Sequence, residues 1–150
     1  MIPFWGTSEH SLDGQNRLLI PKDLRPLLGE SFYVFSPVLS AGSTLPHLVA
    51  MPEAKYENYI RRVRGSYEGQ LRDRLLRKLS ANVQTCSTDS AGRVSLSEGL
   101  REFAGLNGKV LIVGVGDRLE LWNPERFDED IAREPDGDDE TGGVPLDDDT

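Results

Sequence analysis

The stretch Ser11–Arg25, SLDGQNRLLIPKDLR, returns in altered form as Ser87–Arg101, STDSAGRVSLSEGLR. Asp13 aligns with Asp89, Arg17 with Arg93, Leu24 with Leu100 and Arg25 with Arg101 at a single offset. Each copy thus carries Asp-x-x-x-Arg, then an apolar stretch, then a second Arg. The likeness extends further. His47–Ile60 aligns with Arg118–Ile131 at an offset shorter by about five residues, which places an insertion in the Ser/Gly/Pro-rich segment Ser36–Pro46. Self-similarity on this scale predicts two copies of one supersecondary unit, 1–65 and 82–133, joined by residues 66–81.

Within each copy the same elements are expected. Asp, Gly and Asn at 13–17 mark a turn. RLLI and RVSL are short strand candidates, followed by a short helix opened by Pro21 or Ser97 and ended by Gly29 or Gly105. A buried strand follows (FYVF at 32–35, KVLIVGV at 109–115), then a further strand and a second helix. The glycines of Gly114–Asp117 fit a hairpin turn between strands. In the linker, Leu71, Leu75, Leu76 and Leu79 fall on one helical stripe, with Arg72, Arg74, Arg77 and Lys78 elsewhere. Such a helix covers a core with a solvated basic face, or serves subunit packing or phosphate contact. Neither copy alone buries its strands easily, and pairing the two solves part of that problem.

The 150 residues carry a formal net charge of −8, but the charge is unevenly placed. Eight of the 25 acidic residues and none of the 17 basic ones lie in Glu134–Thr150, so 1–133 is neutral. That Asp/Gly/Pro-rich tail, 134–150, is expected to be disordered, either as a solubilising extension or as a competitor for an anion-binding face. A lone cysteine, Cys86, rules out an internal disulfide and reads as a small buried hydrophobe. Phe4 and Trp5 are read as core or subunit contacts. The apolar runs are too short for a membrane span, and no secretory signal is evident, so a cytoplasmic location is expected. His10 and His47 have no nucleophile or metal-ligand partners at motif spacing, and no P-loop or complete dinucleotide fingerprint is present. Neither an enzyme nor a cofactor or metal is expected.

The doubled Asp-x-x-x-Arg remains. It fits a local salt bridge that stiffens the turn, worth about 0–1 kcal/mol when exposed. It equally fits a guanidinium preorganised by a carboxylate to grip a guanine edge or a phosphate.

FWGTSEHSLDGQNRLLIPKDLR near the start and TDSAGRVSLSEGLREFAGLNGKVLIVGVGDRLELW later resemble the MraZ family over nearly all of 1–130. The resemblance implies an α+β, mostly β fold: two tandem pseudo-symmetric AbrB/SpoVT-like swapped-hairpin units (double-split β-barrel) with short helices. It also implies a bacterial transcriptional regulator, usually a repressor. Such a regulator is nucleoid-associated, assembles as a homo-oligomeric ring and binds double-stranded DNA at direct repeats in the promoter of its own division and cell-wall operon. The family's DNA-contacting motif falls on Asp13–Arg17, with Gln15 and Asn16 between them, and on Asp89–Arg93. Here Asn16 stands where glycine is usual, and Asn tolerates a left-handed backbone. Gly14–Gln15 replaces a common basic residue, which lowers the electrostatic share of affinity. Ser97 replaces a usual proline, and the acidic tail is not a family hallmark. An alternative is a protein-interaction scaffold that keeps the ring and has lost the DNA.

Overall fold

The computed structural model describes residues 4–37 and 44–133. Most of the expected insertion and the whole acidic tail lie outside the described residues. In chain order the elements are β1 (Phe4–Ser11), β2 (Arg17–Leu19), α1 (Arg25–Leu28), β3 (Phe32–Phe35), β4 (Leu48–Pro52), α2 (Glu53–Ser66) and α3 (Gly69–Ala81). They continue with β5 (Val83–Cys86), β6 (Arg93–Ser95), α4 (Glu98–Ala104), β7 (Lys109–Gly116), β8 (Leu119–Trp122) and α5 (Pro124–Ala132). The class is α+β with antiparallel sheets. The expectation of a mostly β chain is corrected, because α2 and α3 are long and helices hold more of the described residues than strands do.

Local chemistry sets several boundaries. Ser97 accepts a hydrogen bond from the Leu100 amide and caps α4, and Gly105 ends it in the left-handed region at φ 67. Asn123 accepts from the amides of Glu125 and Arg126 and opens α5. Pro21 does not open α1 as expected. Its carbonyl accepts from the Leu24 amide at 3.0 Å in a turn, and the helix begins at Arg25 with Pro26 in its first turn. A helix begun at Pro21 would need an N–H from residue 26, and Pro26 has none.

A six-stranded sheet runs β1-β7-β8-β4-β3-β5, and β2 and β6 form a separate two-stranded ribbon. Strands related by the sequence repeat occupy mirror positions in this order, so it reads the same from either edge. The pairing also crosses the repeat. β1 pairs along its whole length with β7, from Phe4↔Gly116 to Ser11↔Lys109, and β5 pairs with β3. The approach of β1 to β7 is close enough that a Cβ on Gly114 would stand 2.4 Å from the Trp5 amide nitrogen, so only glycine fits there.

The alternation of side chains divides the interior in two. Phe32, Val34, Leu48, Ala50, Val110, Ile112, Leu119 and Leu121 face one side and pack with Leu18, Ile20, Val94, Leu96 and Leu100. Phe35, Val49 and Met51 face the other and pack with Tyr59 and Val63 of α2 and Leu79 of α3. Leu75 and Leu76 join this second cluster as half-buried partners, whereas Leu71 is 52% exposed and lies off the contact. The expected four-leucine stripe is therefore three leucines long. Phe4 is buried and Trp5 is 71% exposed. Cys86 is buried in β5, and burial pushes its thiol up to about 11.

Candidate nucleic-acid interface

Each Asp-x-x-x-Arg builds the same small frame. In the first, the Asp13 carbonyl accepts from the Asn16 amide and the Asp13 amide donates to the Arg17 carbonyl, both at 3.0 Å. This closes a three-residue loop, whose last residue must take a left-handed conformation. Asn16 does so, at φ 59, and Gly92 holds the equivalent place at φ 86. In the second loop Asp89 makes the matching backbone bonds to Gly92 and Arg93 at 2.9 Å.

The Asp side chain then clamps the loop and the arginine that closes it. Asp13 Oδ1 accepts from the amides of Gln15 and Arg17, and its Oδ2 accepts from Arg17 Nε at 2.8 Å. Asp89 Oδ1 accepts from the amides of Ala91 and Arg93, and its Oδ2 accepts from Arg93 Nε at 3.1 Å. The backbone N–H of Arg17 is the largest influence holding the Asp13 carboxyl below its ordinary value. Partial desolvation opposes it, and the Gln15 N–H and the Arg17 side chain add to it. Asp89 is lowered in the same way, led by the Arg93 N–H. Both aspartates are therefore anionic at neutral pH, and each fixes one guanidinium through Nε.

The β2–β6 ribbon brings the frames together. Its register pairs Arg17 with Ser95, Leu18 with Val94 and Leu19 with Arg93. Leu18 and Val94 are buried, so alternation sends Arg17 and Arg93 out from the opposite face, diagonal to one another. Arg17 Nη1 lies 3.8 Å from Asp89 Oδ2, and Arg93 Nη1 lies 3.8 Å from Asp13 Oδ2. Four of the six expected site residues thus form one reciprocal cluster on a partly exposed face. The other two, Gln15 and Asn16, sit exposed at the rim of the first loop. Each Arg spends Nε on its own aspartate. Its terminal nitrogens make no hydrogen bond within the described residues and keep the fork geometry that matches a guanine edge or a phosphate.

The second arginine of each copy supports this arrangement, a role the sequence pattern marked but did not explain. Arg25 Nε donates to the Ile20 carbonyl at 2.8 Å and Arg101 Nε to the Leu96 carbonyl at 3.0 Å. The Arg25 guanidinium lies over Gly92. Ile20 N–H donates to the Gly92 carbonyl and Leu96 N–H to the Asn16 carbonyl, so each copy braces the loop of the other.

The other concentration of charge is buried. His47, 3% exposed, stacks on Trp122 with ring centroids 4.3 Å apart. Its Nδ1 donates to the Leu45 carbonyl, and its Nε2 lies 3.3 Å from Glu120 without making a hydrogen bond. Glu120 also takes a hydrogen bond from Trp122 Nε1 and contacts Arg118. Burial raises the Glu120 carboxyl, but His47, Trp122 and Arg118 together bring it below its ordinary value. The cluster ties β4 to β8.

With this geometry in view, comparison with known proteins is informative. A family model described as "MraZ protein, putative antitoxin-like" matches residues 79–138. The chain is 34% identical over 125 residues to "Transcriptional regulator MraZ" of Symbiobacterium thermophilum, covering 83% of this chain and 86% of that protein. The chain belongs to the MraZ family. Relatives of the same name in Dictyoglomus thermophilum and Mycoplasma mobile are each 34% identical, over 131 and 128 residues. These alignments cover 84% and 83% of this chain and 83% and 82% of those proteins. MraZ proteins are not enzymes. No helix among the described residues is long and apolar enough to cross a membrane.

Proposed function

We propose that the protein is a sequence-specific DNA-binding transcriptional regulator, cytoplasmic and nucleoid-associated, that reads double-stranded DNA with Arg17 and Arg93. Asp13 and Asp89 position them. The observation that carries this reading is the reciprocal cluster: two guanidiniums held side by side on one face, each clamped through Nε, with Nη1 in a looser 3.8 Å ion contact to the aspartate of the other loop. A guanidinium fixed in advance loses less freedom on contact with a base edge than a free one. The names of the relatives, all transcriptional regulators, support the same class.

The finer reading extends this to two tandem swapped-hairpin units, 1–65 and 82–133, linked by the 66–81 helix. The crossing strand pairs support it. In this reading the subunits assemble as a ring, and the ring represses the promoter of its own division and cell-wall operon through direct repeats. The cluster itself sums to zero charge, so a single subunit gains little from long-range attraction to phosphate. Repetition of the face around a ring compensates through effective concentration.

The test is binding of the full chain to the DNA upstream of its own gene, against scrambled DNA, at two salt concentrations. Specific, salt-sensitive binding that Arg17→Ala and Arg93→Ala both weaken supports the regulator. A folded, assembled protein that does not discriminate the two DNAs returns the reading to a protein-interaction scaffold.

A further inference from the structure

The two loops share a frame but not a chemistry. Between Asp and Arg the first holds Gly14–Gln15–Asn16, and the second holds Ser90–Ala91–Gly92. Two carboxamides therefore stand on one side of the cluster and none on the other. Gln15 and Asn16 are exposed, and neither side chain has a partner among the described residues. Asn16 is also the only non-glycine residue of positive φ among them. The second loop does not accept the same groups in place. A Cβ on Gly92 would fall 2.0 Å from Cζ of Arg25, so any side chain there displaces that arginine.

This difference matters because of the symmetry around it. Two arginines related by a pseudo-two-fold present the same contact from both halves. Alone, they do not distinguish one direction along a duplex from the other. A carboxamide supplies a donor and an acceptor side by side, the pattern that pairs with N7 and N6 of adenine in the major groove.

We propose that the Gln15–Asn16 edge is a specificity determinant that reads an adenine beside the base contacted by Arg17, and so gives the footprint of each subunit a direction. The inference rests on the DNA-binding reading above. An operator read this way is not its own inverted repeat within one subunit's footprint, and successive subunits meet it in the same orientation.

The test uses the full-length double variant Gln15→Ala, Asn16→Gly, which copies Ala91–Gly92 into the first loop. Glycine adopts φ 59 freely, so the loop frame is retained. Wild type and variant are titrated against duplexes carrying each single base-pair substitution across the upstream site, with melting temperature and assembly measured in parallel. The expected result is a discrimination of about tenfold at an A·T pair flanking one arginine contact in the wild type, lost in the variant at equal melting temperature. A variant whose substitution profile equals that of the wild type overturns the inference while leaving the regulator intact, since Arg17→Ala still weakens specific binding in that case. A wild type that does not distinguish its upstream DNA from scrambled DNA overturns both.

Discussion

Arg17 Nη1 stands 3.8 Å from Oδ2 of Asp89, a carboxylate of the other loop, and Arg93 mirrors the contact at Asp13. The two loops are therefore one electrostatic unit. Arg17→Ala removes the fork proposed to contact DNA and also a neighbour of Asp89, so the effects of Arg17→Ala and Arg93→Ala on binding are expected not to add. Each single variant should weaken specific binding about tenfold or more, with stability within about 1 kcal/mol of wild type, because the pairs are partly exposed. Titrations of both singles and the double test this; additive losses would contradict the coupling.

Acid should dismantle the frames in a defined direction. Asp13 and Asp89 lie below their ordinary value of 3.8 in the folded protein. Their contribution is thus present in full above that value and is lost as pH falls through the lower, folded one. The variant Asp13→Asn, Asp89→Asn should melt below the wild type at pH 7, and the gap should close as pH drops below 3.8. Parallel melting curves down to the most acidic pH would show that the carboxylates do not clamp.

Equivalent loop positions should differ in tolerance. Asn16→Gly keeps a left-handed backbone and is expected within about 0.5 kcal/mol of wild type. Gly92→Asn adds a side chain where Arg25 lies and forces an L-residue to φ 86, costing about 1–2 kcal/mol. Urea unfolding of the two variants makes the comparison.

His47→Leu should destabilise by about 1–3 kcal/mol, because it leaves the Leu45 carbonyl without its donor, takes away the imidazole 3.3 Å from the buried Glu120 carboxylate and removes the stack on Trp122. Tryptophan fluorescence tracked through denaturant unfolding reads both the loss and the changed surroundings of Trp122.

Along α3, Leu79→Ala is expected to cost about 2–4 kcal/mol and Leu71→Ala less than about 0.5 kcal/mol, since only Leu79 is buried. Equal effects at both positions would restore the full four-leucine stripe.

The elements set by local chemistry were legible in the residues: the Asp-x-x-x-Arg turns, the strands at 32–35 and 109–115, the Ser97 cap and the glycine stops. What was hidden depended on partners distant in the chain. Alternation assigns Phe32 and Tyr33 to opposite faces but does not say that β1 pairs with β7. His47 looked partnerless because Glu120 and Trp122 are far from it in sequence. Gln15 and Asn16 were visible as candidates, but their contrast with Ala91 and Gly92 gained meaning only when the ribbon set the loops side by side. Pro21 misled because the missing N–H of Pro26 outweighs a favourable helix start.

The crossing of β1 to β7 also governs how the chain comes into being. During synthesis the strand Phe4–Ser11 has no sheet partner among the described residues until Lys109–Gly116 has been made. At roughly 5–20 residues per second, that wait is on the order of 5–20 s. The N-terminal half therefore leaves synthesis with an open strand and completes its fold only after the C-terminal half has arrived, and a nascent chain stalled before β7 is an unfinished protein, not half of a working one.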